Sequence, residues 1–108
     1  MVTYVQMLVG FVNESSTEMI GRWVRRVEDA DRARIGDWFP TGVDHPYDKR
    51  LVVYVAPDIE ADSQWVALEP VRKAHDAELQ VTGFLSALWS VGWVELERLP
   101  VEGASTRL

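Results

Sequence analysis

Residues 2–12 read V-T-Y-V-Q-M-L-V-G-F-V, with no charged position and many β-branched and aromatic ones. Such a run suits a strand buried on both faces, near the middle of a sheet. Beyond it the apolar period changes. Ser15 and Glu18 form a capping-box pattern, and Ile20, Trp23, Val24 and Val27 follow at helical spacing, which predicts a helix over residues 16–29.

Residues 31–49 are irregular, with Gly36, Pro40, Gly42 and Pro46 set among Trp38, Phe39 and Tyr47. They read as a long loop with a β-turn at Phe39–Gly42 and room for a short edge strand at residues 35–39. Residues 50–56 (R-L-V-V-Y-V-A) and 64–68 (Q-W-V-A-L) read as two strands joined by an acidic turn, a β-hairpin. Pro70 either ends the second strand or opens a helix at its first position, and the preferred reading is a strand to about Glu69. A second helix is expected over residues 76–91, with Asp76 as N-cap and Ala77, Val81, Phe84, Leu85 and Leu88 on its buried face. Gly83 inside it suggests close packing on the sheet, and Gly92 suits its left-handed end. Residues 93–99 alternate as a half-exposed strand, closed by Pro100.

The expected order is therefore β-α-β-β-α-β. It resembles the broad ferredoxin-like group on element order alone: an α+β split βαβ plan with a four-stranded antiparallel sheet and two helices on one face. The 108 residues fit a single domain, with residues 1–100 as folded core and 101–108 as a loose tail.

Period-two alternation then divides each strand between two faces. Val5, Met7, Val9, Phe11, Leu51, Val53, Val55, Val66, Leu68, Val94 and Leu96 are expected under the helices. Tyr4, Gln6, Leu8, Val52, Tyr54, Trp65, Ala67, Trp93, Glu95 and Glu97 are expected on the other face. That face is aromatic and apolar, and soluble monomers rarely leave such a patch in water. A second subunit, a partner protein, a ligand or the loop over residues 31–49 should cover it. Tyr4, Leu8, Val52, Tyr54, Trp65, Trp93 and Glu95 are the expected interface residues, with tryptophan and tyrosine favoured as anchors.

Charge and composition narrow the chemistry. The chain carries a net charge of −6, which disfavours direct attraction to nucleic acid or an anionic membrane. Arg22, Arg25 and Arg26 nonetheless cluster, as an expected solvated face or a patch for an anion or acidic partner. There is no cysteine, which excludes disulfides, thiolate nucleophiles and cysteine-ligated metals. No signal peptide or membrane span is read, and a cytoplasmic location is expected. His45 and His75 each have acidic neighbours, and His45, Asp48 and His75 are the candidates for acid–base work. Neither histidine sits in a metal-ligand spacing, so no metal or cofactor is expected.

These features point to a small non-enzymatic protein that works by association, with a second copy (a homodimer) or a partner it inhibits or assembles with. An accessory protein of a phage or mobile element fits that description. The alternatives are a small dimeric enzyme or ligand-binding protein, with a pocket between sheet and loop 31–49 lined by His45, Asp48 and Tyr54, and an acidic mimic of nucleic acid.

Overall fold

The structure is a computed structural model. It describes residues 1–12, 15, 17–72 and 78–100, with backbone alone for 78–82. In place of a four-stranded antiparallel sheet under two helices, it contains one mixed seven-stranded sheet and one described helix. The strands are β1 (Val2–Val12), β2 (Glu18–Val27), β3 (Trp38–Pro40), β4 (Lys49–Asp58), β5 (Ser63–Leu68), β6 (Val71–Arg72) and β7 (Val94–Pro100), and the helix is α1 (Glu78–Ser90). Their order across the sheet is β3-β4-β5-β1-β2-β7, with β6 also paired to β1.

β1 holds the centre, as its composition demands. It pairs antiparallel with β2 over its whole length, and parallel with β5 and β6 on its other side. β6 resumes the pairing with β1 beyond Glu69 and Pro70, since proline has no N–H for a ladder.

The expected first helix is the main correction. Residues 18–27 form β2, paired with β1 from Thr3↔Val27 to Val12↔Glu18. Ile20, Trp23, Val24 and Val27 do fall at helical spacing, but the same residues also alternate. Met19, Gly21, Trp23, Arg25 and Val27 lie opposite the inward residues of β1, and Ile20, Arg22, Val24 and Arg26 lie opposite the outward ones. The pairing with β1 along this length decides for the strand, and Gly21 leaves room for its neighbours: a Cβ there would lie 2.6 Å from Glu95 Oε2 and 2.9 Å from Trp23 Nε1, so these side chains would have to shift.

One face of the sheet is covered. Val5, Met7, Val9, Phe11, Trp23, Val52, Val66, Leu68 and Val71 are buried there beneath Phe84 and Leu88 of α1. Loop 31–49 fills the place that a second helix would have taken. Its Thr41 and Val43 are buried, and the Tyr47 ring meets Phe84 edge-on at 5.3 Å. Gln64 fastens the start of this loop. Its Nε2 donates to Thr3 Oγ1 (2.8 Å) and to the Asp31 carbonyl (2.9 Å), and its Oε1 accepts from the Ala33 N–H (3.0 Å).

α1 begins at Glu78, within the expected residues 76–91. Asp76, Ala77, the side chain of Val81 and the tail over residues 101–108 lie outside the described residues. Gly83 does not mark a close approach to the sheet: it is exposed, and an added Cβ would meet nothing within 4 Å. Among the described residues no helix is long and apolar enough to cross a membrane.

Candidate functional site

Among the described residues no helix or loop lies on the second face of the sheet, and strand register places its residues in rows. One row runs Arg26 (β2), Tyr4 (β1), Trp65 (β5), Ala56 (β4). The next runs Val94 (β7), Val24 (β2), Gln6 (β1), Ala67 (β5), Tyr54 (β4). Glu97, Arg22 and Leu8 form a third, and Leu99, Ile20 and Gly10 a fourth.

These rows are substantially apolar and wet. Tyr54 is 58% exposed, Trp65 43%, Val94 43% and Leu8 39%. Tyr4 and Trp65 stack at 5.0 Å with an interplanar angle of 24°. Cross-strand aromatic pairs of this kind help stabilise a sheet. The arginines of β2 are held by neighbours in the same chain. Arg22 Nη1 donates to Gln6 Oε1 (3.3 Å) and Arg22 Nε lies 3.6 Å from Glu97, while Arg26 Nε lies 3.0 Å from Glu28. The exposed turn between β4 and β5 adds Asp58, Glu60 and Asp62 at one end.

Of the expected interface residues, Tyr4, Leu8, Tyr54 and Trp65 share this face. Val52 and Trp93 do not: both are fully buried on the helix side. In each case a bulge resets the alternation. The β4–β5 register shifts between Val52 and Tyr54, so Val52 points inward and both Val53 and Tyr54 are exposed. The β2–β7 register shifts between Arg22 and Trp23, which turns Val94 outward and Glu95 inward. Val53, Val94 and Leu96, expected under the helices, are therefore all exposed.

Trp93 instead donates its indole N–H to the Thr41 carbonyl at 2.8 Å, tying loop 31–49 to the sheet. Glu95 pairs with Arg98 at 2.8 Å, and the Arg98 guanidinium lies 4.7 Å from the centre of the Phe11 ring. Glu95 and Glu97 thus face opposite ways.

The expected arginine cluster is also divided. Arg22 and Arg26 lie on the uncovered face, while Arg25 points to the helix side and donates to the Thr41 carbonyl at 3.3 Å. The residues that sequence reasoning missed on this face are Ile20, Val24, Val94 and Leu99. Reading residues 18–27 with period two, prompted by the glycine in the middle of the expected helix, would have found the first two.

The candidate catalytic groups do not converge. His45 is 89% exposed, with Asp48 3.4 Å from its Nδ1, while Tyr54 stands on the opposite side of the sheet from their loop. His75 lies outside the described residues. Among the described residues no three histidine or acidic side chains are grouped to hold a metal ion. Comparison with known protein families, with curated proteins and with solved structures gave no match for this chain.

Proposed function

We propose that this protein acts by association with another protein chain, through the uncovered face of its sheet, rather than by catalysis. One observation carries the reading. Both the helix and the long loop pack on one side, and Tyr54, Trp65, Leu8 and Val94 are left exposed together on the other. Contiguous apolar area of this kind, rimmed by charge, is characteristic of protein-binding surfaces. The Tyr4–Trp65 stack supplies the type of aromatic anchor that dominates such interfaces.

A photo-crosslinking amino acid at Tyr54 or at Leu8, introduced in the native host, tests this. Protein adducts should form at both positions and be absent at exposed Ile59, in the β4–β5 turn, and exposed Trp89, on α1 at the covered side. Equal labelling at all four positions would refute the assignment.

Single-stranded nucleic acid is the competing occupant, because Arg22 and Arg26 lie beside aromatic rings on which bases could stack. Both arginines are already paired with carboxylates, and the chain as a whole repels phosphate. Nucleic-acid adducts at Tyr54 would overturn the protein reading in favour of that one.

A further inference from the structure

We infer that the two edges of this open sheet carry the same guard, a bulge followed four residues later by an outward-facing proline, which stops further strands from adding to it. The guard goes beyond the association reading and does not depend on it.

The sheet has two free stretches of edge. β3 pairs with β4 only over Lys49–Leu51, and at Val52 the turn ahead of β3 takes over. Val52 donates its N–H to the Asp37 carbonyl (2.8 Å) and accepts from the Gly36 N–H (2.9 Å). Among the described residues nothing pairs with the outer side of β4 from Val53 to Asp58, and nothing pairs with the outer side of β7. Val53, Leu96 and Leu99 are exposed along these stretches. An unpaired and partly apolar strand edge is a template for any extended chain, copies of the same chain included.

Strand pairing fixes how each proline sits. In an antiparallel ladder a residue turns its N–H and C=O both toward the partner strand or both away from it. Proline has no N–H to give the partner. Pro57 stands opposite Gln64, and Pro100 opposite Met19. Both therefore occupy positions of the second kind, where the missing donor would have faced outward. There a proline costs the ladder nothing, and its ring stands in the way of an added strand. One residue earlier or later it would cost a bond to β5 or to β2.

The bulges complete the guard. Val53 is the extra residue between Val52 and Tyr54, and Leu96 the extra residue between Glu95 and Glu97. A bulge breaks the regular spacing of outward groups and twists the edge. Between bulge and proline, one residue alone on each strand presents both an outward N–H and an outward C=O: Val55 on β4 and Arg98 on β7. That gives an added strand too few bonds to hold it. The two stretches, V-Y-V-A-P and L-E-R-L-P, share little sequence beyond this spacing, so the edge position is what they have in common.

Pro57→Thr and Pro100→Thr each restore the outward N–H at an exposed site and add strand propensity. Ala56→Thr is the control, because the Ala56 N–H is already spent on β5. Sedimentation velocity against concentration, thioflavin T binding and urea unfolding are measured for these variants and for the double proline variant. The wild type and Ala56→Thr should sediment alike and give no thioflavin signal. Each single proline variant should associate through its one opened edge, roughly fivefold more tightly than the wild type for one net hydrogen bond restored. The double variant should keep a cooperative urea transition and grow with concentration into open-ended, thioflavin-positive assemblies.

Proline variants that sediment like the wild type overturn the inference. So does growth of Ala56→Thr equal to that of the double variant, which would make strand propensity and not the N–H responsible. A double variant without a cooperative urea transition overturns it as well, because restoring outward donors leaves the bonds to β5 and β2 in place. A wild type that itself forms thioflavin-positive assemblies shows that the edges are not guarded.

Discussion

Replacing Trp93 with phenylalanine removes one hydrogen bond and part of one ring from a fully buried site. The lost bond runs from the indole N–H to the Thr41 carbonyl, 2.8 Å long. That carbonyl keeps its contact with Arg25 at 3.3 Å, so it is not left orphaned. The net cost of the bond is then about 1 kcal/mol. Phenylalanine is smaller by roughly 40 Å³, and a residual cavity of that size costs about another 1 kcal/mol. The sum of about 2 kcal/mol should lower the melting temperature by roughly 8 °C for a chain of this length. Urea unfolding followed by tryptophan fluorescence and circular dichroism reads it directly, as a lower midpoint with an unchanged slope. A control sharpens the reasoning. In an Arg25→Met background the Thr41 carbonyl has no remaining side-chain donor, and Trp93→Phe should cost at least ~1 kcal/mol more than in the wild type. If Trp93→Phe costs less than ~0.5 kcal/mol, the range of ordinary surface changes, Trp93 is not the buried clasp described here.

Three further substitutions probe the fold. Gln64→Leu leaves Thr3, the Asp31 carbonyl and the Ala33 N–H without their shared partner; a loss of about 2–3 kcal/mol is expected, with faster amide exchange at Ala33 as the local readout. Gly42→Ala forces a Cβ to within 3.1 Å of Val91 at a residue whose φ is 87°. It should destabilise by about 1–3 kcal/mol, of which Val91→Ala in the same chain recovers only the steric share, as measured by thermal unfolding. Gly83→Ala acts in the opposite direction: the site is exposed and empty within α1, so alanine should stabilise by roughly 0.5–1 kcal/mol, seen as a higher urea midpoint.

The uncharged, β-branched run of β1 announced a central strand, and a central strand it is. The apolar runs of Arg50–Ala56 and Gln64–Leu68 likewise announced β4 and β5, although Pro57 does not stop β4, which stays paired with β5 through Pro57↔Gln64 to Asp58↔Ser63. β2 was not legible as a strand. Its apolar residues satisfy periods of 3.6 and 2 at once, and the tie is broken by tertiary contacts, the pairing with β1 from Thr3↔Val27 to Val12↔Glu18. Most of the aromatic face followed from alternation, and Tyr4, Leu8, Tyr54 and Trp65 are where alternation puts them. Alternation failed at Val52 and at Trp93 because a bulge adds one residue to a strand and reverses every assignment beyond it. No composition signal marks either bulge. The parallel pairing of β1 with β5 was equally hidden, since a strand's own residues do not say which distant segment will lie beside it.

That parallel pairing has a consequence for how the chain comes into being. β1 and β2 are near in sequence and can close as a hairpin as soon as Val27 has left the ribosome. The other edge of β1 waits for β5, whose pairing begins at Ser63. At ~5–20 residues per second, the intervening 36 residues take roughly 2–7 seconds to synthesise. Throughout that interval the most apolar strand of the molecule offers an unsatisfied edge to any passing strand. The element that gives the finished protein its centre is therefore, for a few seconds in every chain's life, its greatest exposure to misassembly.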